Sequence, residues 1–249
     1  MTDLLARLTA QQQKIAEARP LPAETLRSLM DDFLIRFAHE TTAIEGNTLT
    51  LQETQVVLEH GITVAGKTLR EHLEVVNVRG AWDLLLDLVR APLTEAAILD
   101  LHRLLMQGIL GDEAGRLRTV PVFIRGSMHV PPNPARVGEM MSRFVEDVQV
   151  RPAGEHPVRC AARAHIDLAA IHPFVDGNGR VCRMLVNLLL MRAGWPPALY
   201  TAANRAAYLR ALEDAQFRGD AEPCVHVTAE AVQFMMDRYL IALDQLETP

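Results

Sequence analysis

The densest group of chemically useful residues lies between Ile171 and Arg183, in the sequence Ile-His-Pro-Phe-Val-Asp-Gly-Asn-Gly-Arg-Val-Cys-Arg. An Ala-rich apolar run precedes this stretch and a Leu-rich run follows it, which predicts a helix, a tight loop and a second helix. The free N–H groups and positive dipole end of the second helix would bind an anion. Gly177 and Gly179 would let the backbone approach a phosphate closely.

Other side chains in the same stretch suit the transfer of a phosphate-containing group. Arg180 and Arg183 are three residues apart, so both can contact phosphate oxygens from one helical face. Asp176 is a suitable Mg²⁺ ligand, since Mg²⁺ is held by one or two carboxylates together with phosphates. His172, just before the turn, can accept a proton from an attacking hydroxyl. Together these residue types predict phosphoryl or nucleotidyl transfer.

Each of these features has a simpler explanation when it stands alone. A Gly-x-Gly sequence before a helix is usually only a turn, and a histidine at a helix end is more often structural than catalytic. Their combination within thirteen residues favours a reactive site. His165 lies seven residues before His172 on the same helical face. Because no third ligand lies nearby, we interpret His165 as a hydrogen-bonded core histidine rather than a metal ligand.

The composition favours a helical protein. Of 249 residues, 49% are hydrophobic and only 12 are Phe, Trp or Tyr, so the core must rely on Leu, Ala, Val and Met. These residues suit helices better than sheets. The net charge of −6 argues against broad binding of nucleic acid, which requires a basic surface.

The location suggested by the sequence is cytoplasmic. Cys160, Cys182 and Cys224 are odd in number and lack metal or redox spacing, which indicates reduced thiols. The N-terminus has no positively charged region followed by an apolar one, so no signal peptide is evident. No uncharged apolar run approaches the length of a membrane span. We therefore expect neither a membrane nor a nucleic-acid partner.

The spacing of apolar residues and the helix-capping signals predict ten helices. Their approximate ranges are 3–18, 24–45, 50–60, 68–90, 94–109, 134–148, 157–171, 178–193, 204–217 and 227–246. Between residues 118 and 132, β-branched residues flank a Gly-containing turn and predict a short hairpin. Pro121 and Pro131 would confine this hairpin to an edge. The predicted fold is a single all-α domain with one β-hairpin.

The sequence from His172 to Arg183 resembles the HPFx(D/E)GNGRxxR motif of the Fic-domain family, with every defined position filled. The resemblance implies an all-α Fic fold and transfer of AMP from Mg²⁺-bound ATP to a Ser, Thr or Tyr hydroxyl of a target protein, with release of pyrophosphate. The branch of the family that phosphorylates its targets replaces the second motif glycine. Gly179 is retained here, which favours nucleotidyl transfer.

The resemblance also implies a role for each motif residue. His172 would be the general base, Asp176 the Mg²⁺ ligand, and Phe174 the core anchor of the loop. Tyr208 stands where the family often lines the adenine pocket, although core packing would explain it as well. The residues expected to form the anion hole and to hold the ATP phosphates are Gly177, Asn178, Gly179, Arg180 and Arg183.

The segment from Thr41 to Asn47 is similar to the inhibitory motif of the family, (S/T)xxxE(G/N), with Glu45 and Gly46 at its defined positions. A carboxylate at a helix C-terminus opposes the helix dipole, so Glu45 gains if an arginine reaches it. The resemblance identifies that arginine as Arg183, and the pair would block productive ATP binding. The simpler alternative is that Glu45 faces water.

The predicted hairpin at 118–132 resembles the flap of the family, which lies beside the active site. An edge strand there could hold a target segment by main-chain pairing and present its hydroxyl to His172. An ordinary surface hairpin is the alternative. The residues expected to contact the target are Val120, Val122, Phe123, Ile124 and Met128.

This interpretation divides one globule into N-terminal helices with the inhibitory motif (1–60), a Fic core (61–225) and a C-terminal helix (226–249). Self-modification and homodimerisation stay open, and the target protein is unknown. Two other functions remain. One is removal of AMP from a modified protein, with Glu45 aligning the water, and the other is a non-catalytic binding module that retains the fold.

Overall fold

Local signals at the helix ends explain why the chain folds into helices at these positions. Thr50 and Thr68 each form a capping box, in which the threonine side chain accepts an N–H of the first turn and a glutamate accepts the N–H of the cap. Asn133 accepts the N–H of Ala135, with Pro134 in the first turn. Gly61 ends its helix in the left-handed conformation.

The computed structural model describes residues 2–150 and 154–247, and it contains ten α-helices over these residues. They are α1 (Thr2–Glu17), α2 (Ala23–Ala43), α3 (Leu51–His60), α4 (Leu69–Leu88), α5 (Glu95–Leu105), α6 (Pro134–Gln149), α7 (Pro157–Ile171), α8 (Asn178–Arg192), α9 (Arg205–Arg218) and α10 (Glu222–Glu247). All ten predicted helices occur. The predicted start of the last one, residue 227, was wrong, because Asp220 caps the N–H of Glu222 and Pro223 suits the first turn.

The centre of the core is α8, most of whose side chains are buried. It packs along α7, where Ala161, Ala162 and Ala164 are fully buried and allow the two backbones to approach closely. Helices α4 and α5 also contact α8. The short loop that joins α7 to α8 is consequently held at one end of the densest part of the protein.

The first and last helices pack against each other and against the centre. Leu8 and Ile15 of α1 are fully buried, and α1 contacts α10, which in turn contacts α2, α7 and α9. Side chains from the predicted parts 1–60, 61–225 and 226–249 contribute to one apolar core, although residues 1, 151–153, 248 and 249 lie outside the described residues. None of the helices described is both long enough and apolar enough to cross a bilayer.

The predicted β-hairpin at 118–132 was wrong in its strands, since the structure assigns no strand to any residue it describes. The residues on both sides of a turn at Arg125 and Gly126 have no regular secondary structure, and Ser127 N–H donates to Ile124 O at 3.1 Å. Proline nitrogens cannot donate to a ladder, and two of the carbonyls at its base accept from a guanidinium instead. We keep the name flap for residues 118–132.

Candidate active site

The loop between α7 and α8 requires an unusual backbone. His172 has φ 49° and is the one non-glycine residue with positive φ among the residues described. Gly177 has φ 81°, and a β-carbon there would lie 2.7 Å from Met106 Sδ and 3.3 Å from the ring of His102. Such conformations persist only where the surroundings enforce them, and they concentrate at functional sites.

Two buried side chains brace this loop from inside. The amide of Asn178 donates to Phe174 O at 2.9 Å and its oxygen accepts from Phe174 N–H at 3.0 Å. Phe174 is fully buried and stacks on the ring of His102, with 3.7 Å between centroids. The Asn178 side chain therefore closes the loop, which leaves its backbone N–H, rather than its amide, for an anion at the start of α8.

His102 also braces the loop, although no sequence pattern around it indicates this role. Its Nδ1 accepts from Gly115 N–H at 2.9 Å, so Nε2 must carry the proton that it donates to Asp176 O at 3.0 Å. Burial lowers the pKa of His102 to about 4, which keeps this neutral tautomer in place at neutral pH. The imidazole thus fixes the backbone that carries Asp176.

Arg183 is buried and bound by the predicted inhibitory segment. Its Nε donates to Thr41 Oγ1 at 2.7 Å and its Nη2 donates to Thr41 O at 2.8 Å. The same Nη2 lies 2.7 Å from Glu45 Oε1. Burial disfavours the charged guanidinium, but the neighbouring Tyr208 and Glu45 more than compensate and raise the pKa of Arg183. Gly46, at φ 103°, turns the chain away after this contact.

The Glu45 carboxylate lies directly against the anion-binding loop. A β-carbon on Gly179 would clash with this carboxylate and would lie 3.1 Å from Arg183 Nη1. Any side chain at position 179 would therefore displace the glutamate. Glu45 thus lies over the N-terminus of α8, where free backbone N–H groups favour an anion, and its own carboxylate takes that place.

Arg180 points towards Glu74 and Asp176, whereas Arg183 points towards Glu45. Its guanidinium is buried, 3.7 Å from the Glu74 carboxylate and 3.6 Å from that of Asp176. Nε and Nη1 of Arg180 are buried and have no hydrogen-bond partner among the described residues. A buried cation with unused donors fits a phosphate oxygen, since such donors are costly to leave unpaired.

Asp176 is held by cations on both sides. Oδ2 accepts from Arg70 Nη2 at 2.7 Å, and Oδ1 accepts from Gly177 N–H at 2.6 Å. Although burial alone would raise the pKa of Asp176, Arg180, the Gly177 N–H and Arg70 lower it, so the carboxylate is ionised at neutral pH. No group of three or more His, Cys, Asp and Glu in the described ranges is arranged as a metal site. One carboxylate beside a phosphate-binding loop fits Mg²⁺, which takes its other ligands from phosphates and water.

A cavity of about 380 Å³ brings several predicted residues together. It is lined by the flap turn (124–127), by α9, and by Glu45, His172, Gly179 and Arg183. Burial, and to a lesser degree the nearby Arg118, lowers the pKa of His172 to about 4, so its imidazole is neutral and able to accept a proton. The cavity therefore has a neutral imidazole on one wall and the N-terminus of α8 on the other.

Tyr208 also lines this cavity, although its side chain is almost completely buried. Its hydroxyl accepts from Arg183 Nη1 at 3.4 Å and lies 2.9 Å from Nε2 of His165. His165 is fully buried, as predicted for a hydrogen-bonded core histidine. Tyr208 thus has two contacts of interest: it hydrogen-bonds the Arg183 guanidinium, and it forms part of the cavity wall.

The predicted target-binding residues of the flap differ in exposure. Phe123 is 84% exposed and Met128 is 76% exposed, and Val120 is also exposed. Val122 is half-buried, and Ile124 is half-buried and lines the cavity. The flap therefore presents apolar side chains to solvent beside His172, an arrangement that suits contact with another polypeptide.

The three buried histidines predict that the protein loses stability in mild acid. Burial lowers the pKa to about 4 for His102 and His172 and to about 3 for His165, against an ordinary value near 6.5. Below that ordinary value the unfolded chain binds protons that the folded chain does not. The free energy of unfolding should therefore fall as the pH drops from about 6.5 towards 4. Urea denaturation at pH 7, 6 and 5 measures this fall.

Carboxylates with a lowered pKa also destabilise the folded protein as the pH falls. A pair of variants separates the contribution of one buried histidine from theirs. His165→Gln should reduce the pH dependence of the unfolding free energy, whereas His60→Gln should not, because His60 is exposed. Equal pH dependence in wild type and His165→Gln would contradict the assignment.

Sequence reasoning missed four residues that hold the site: Arg70, Glu74, His102 and Arg118. None belongs to a motif, and each contacts the loop only through the packing of another segment against it. Arg70 and Glu74 carried a weak signal, since they form an i,i+4 pair on α4. His102 and Arg118 carried none.

Comparisons with known proteins agree with this arrangement. Residues 92–190 match the model of the Fic/DOC family. The protein adenylyltransferase Fic of Drosophila grimshawi is 36% identical over 228 residues, which cover 89% of this chain and 46% of that protein. The chain thus spans less than half the length of the curated relatives it matches.

Solved structures extend the likeness to the whole fold. Fic-1 of C. elegans (segment 134–508) superimposes with a TM-score of 0.89 at 31% identity, covering 99% of this chain and 73% of that one. A Fic domain-containing signalling protein from Bacteroides thetaiotaomicron shares the fold with a TM-score of 0.86 at 24% identity, covering 97% of both chains. The chain belongs to the Fic family.

Proposed function

We propose that this protein is an adenylyltransferase that moves AMP from ATP to a hydroxyl of a target protein. The observation that carries the proposal is the cavity in which a neutral His172 faces the N-terminus of α8, with Gly179 and Arg183 in its wall. The name of the Drosophila grimshawi relative, a protein adenylyltransferase, supports the same reaction.

The proposed reaction uses these groups in one step. The target hydroxyl attacks the α-phosphorus of ATP, and the bond from that phosphorus to the oxygen bridging to the β-phosphate breaks. Pyrophosphate leaves, and the hydroxyl proton passes to the imidazole of His172. Backbone N–H groups at the start of α8 and the guanidinium of Arg183 stabilise the negative charge on the phosphates.

Asp176 is the residue that would hold Mg²⁺, with the phosphates supplying further oxygens. When bound, Mg²⁺ would neutralise charge on the leaving pyrophosphate. Arg180, with its unused donors, lies beside Asp176 and would contact the same phosphates. Gly179 would let a phosphate approach the backbone closely once Glu45 moves, because it carries no side chain, while Gly177 supplies the left-handed conformation of the loop.

Arg70 competes with the metal for Asp176, which predicts an effect on the Mg²⁺ requirement. An exposed pair of this kind is worth about 0.2–1 kcal/mol, so Arg70→Gln should lower the Mg²⁺ concentration for half-maximal activity by up to about fivefold. A Mg²⁺ titration at saturating ATP measures the change. Arg103→Gln is the matched control, because Arg103 forms a comparably exposed pair with Asp100. A higher Mg²⁺ requirement in Arg70→Gln would contradict the competition.

We further propose that the protein is held inactive by its own N-terminal part. The carboxylate of Glu45 pairs with Arg183 and contacts Gly179, and Thr41 occupies two more guanidinium donors. ATP cannot place a phosphate at the same position without moving Glu45. Because Glu45 is 36% exposed and follows the last turn of α2, it can swing away without unpacking the core.

The target would bind along the flap. Residues 119–124 belong to no strand, and a peptide could pair with those backbone N–H and C=O groups that are not already bonded as Val120 O and Ile124 O are. The exposed Phe123 and Met128 would contact the peptide side chains. A segment of this protein in another copy is one such peptide, so self-modification is part of the proposal.

The test is incorporation of radiolabel from ATP into protein. The Glu45→Gly variant, alone and with a cell lysate, receives ATP labelled at either the α- or the γ-phosphate. AMP transfer predicts protein-bound label from α-labelled ATP and none from γ-labelled ATP. Label from the γ-position would indicate phosphorylation, and no label from either would favour a binding module without catalysis.

A further inference from the structure

Arg118, at the start of the flap, is a buried cation without a carboxylate partner. Its side chain is 2% exposed, and no acidic group in the described ranges forms an ion pair with it. The guanidinium donates only to backbone carbonyls: Val120 O at 3.1 Å, Pro132 O at 2.6 Å, His172 O at 2.8 Å and Ile171 O at 3.5 Å.

Burying a charge in this way is costly unless its surroundings compensate for it. Burial lowers the pKa of Arg118, as expected without an acidic neighbour. The compensation comes from the end of α7, because the carbonyl of Ile171 belongs to its last turn and carries the negative end of the helix dipole. A neutral side chain would fill the same space at a lower cost in free energy. Filling space therefore does not explain why an arginine stands at position 118, and the reason must lie in the four carbonyls that it binds.

The four carbonyls belong to three parts of the site. Val120 and Pro132 lie at the two ends of the flap, and His172 carries the base. The main chain adds a fifth bond, from Arg118 N–H to Pro173 O at 2.9 Å. His129 of the flap donates to Ala170 O at 2.9 Å, so the flap contacts the end of α7 at a second point.

We propose that Arg118 is a positioning residue that ties both ends of the flap to the backbone of His172, so that the bound target segment and the base are set at a fixed distance. The proposal rests on the proposed function, because the flap is taken as the place where the target docks. It assigns no contact between Arg118 and the nucleotide. Loss of Arg118 should accordingly impair transfer to the target far more than it impairs binding of ATP.

The first measurement compares transfer and nucleotide binding in the Glu45→Gly background. Arg118→Met should lower kcat/KM for the labelled target by about 10- to 100-fold, since a small displacement of reacting groups is sufficient for such a loss. The Kd for ATP, measured by calorimetry, should change by less than about threefold. Unchanged target kinetics, or an equal loss in ATP affinity, would overturn the proposal.

Arg192 offers a matched control for a merely structural role. Like Arg118, it donates to backbone carbonyls, those of Leu88 and Ala91, and burial lowers its pKa. Arg192→Met should lower the unfolding midpoint as Arg118→Met does, while leaving target kinetics unchanged. If both variants lose transfer in proportion to their stability, Arg118 has no positioning role.

A second variant separates the charge from the geometry. Arg118→Lys keeps a cation but cannot reach four carbonyls, so it should lose transfer while retaining the low pKa of His172. In Arg118→Met that pKa should rise, because the guanidinium charge no longer repels the protonated imidazole. The charged and titratable groups around His172 are Arg118 and His129 from the flap and Glu45 after α2. NMR titration of the His172 ring protons, with His172→Gln for assignment, measures this directly.

The NMR arm does not depend on any activity. If the Glu45→Gly variant labels no protein at all, the proposed function fails, whereas a raised pKa of His172 in Arg118→Met would still place Arg118 against the base. An unchanged pKa of His172 in Arg118→Met, in a folded protein, would overturn the proposal whatever the labelling shows.

Discussion

Replacing Glu45 with glycine is expected to raise the rate of AMP transfer on the order of 100-fold. The carboxylate holds Arg183 and lies against Gly179, and a phosphate could take this place only after Glu45 moves. Removing a competing interaction of about 3 kcal/mol shifts the population of the ATP-competent state by a little more than a hundredfold. Initial rates of label incorporation from α-labelled ATP, in wild type and variant at equal folded concentration, measure the effect.

Glu17→Gly is the control for this experiment. Glu17 ends α1 and is exposed, so the same substitution at a helix C-terminus should leave the rate unchanged. Equal rates in wild type and Glu45→Gly would contradict inhibition by Glu45. Loss of AMP release from a pre-modified target in Glu45→Gly, without a gain in transfer, would instead indicate that Glu45 aligns a hydrolytic water.

Replacing His172 with alanine in the Glu45→Gly background is expected to lower the rate by about 10²–10⁴-fold. The pKa of this imidazole, lowered to about 4 chiefly by burial, makes it a neutral proton acceptor throughout the neutral range. The Kd for ATP should change little, because in the proposed complex the phosphates would contact the loop and Arg183 rather than His172. Initial labelling rates and calorimetric binding of ATP separate the two effects.

His60→Ala serves as the control, since His60 is exposed at the end of α3. One further consequence follows from the low pKa of His172. The acid limb of the rate profile in Glu45→Gly should begin near pH 4 to 5, where the imidazole gains its proton, and not near its ordinary value. A retained rate in His172→Ala would remove His172 from the reaction.

Most of the helical framework could be predicted from the sequence because helix ends depend on residues only a few positions apart. The capping boxes at Thr50 and Thr68 and the cap at Asn133 are of this kind. The start of α10 was missed although its cap is also local. Asp220, which accepts the N–H of Glu222, lies before the predicted range and was not taken as a cap. The flap was misread because alternating β-branched residues give an extended chain whether or not a partner strand is present.

The sequence by itself determined which groups lie at the start of α8, because a contiguous motif places them together in any helix–loop–helix arrangement. Tertiary structure decided what each group faces. Arg180 and Arg183 lie on one helix, yet one meets Glu74 and the other meets Glu45, 138 residues away. Arg118 reaches His172 across 54 residues. Such contacts depend on how distant helices and loops pack against each other. Residue types at short spacing determine local structure and do not predict that packing.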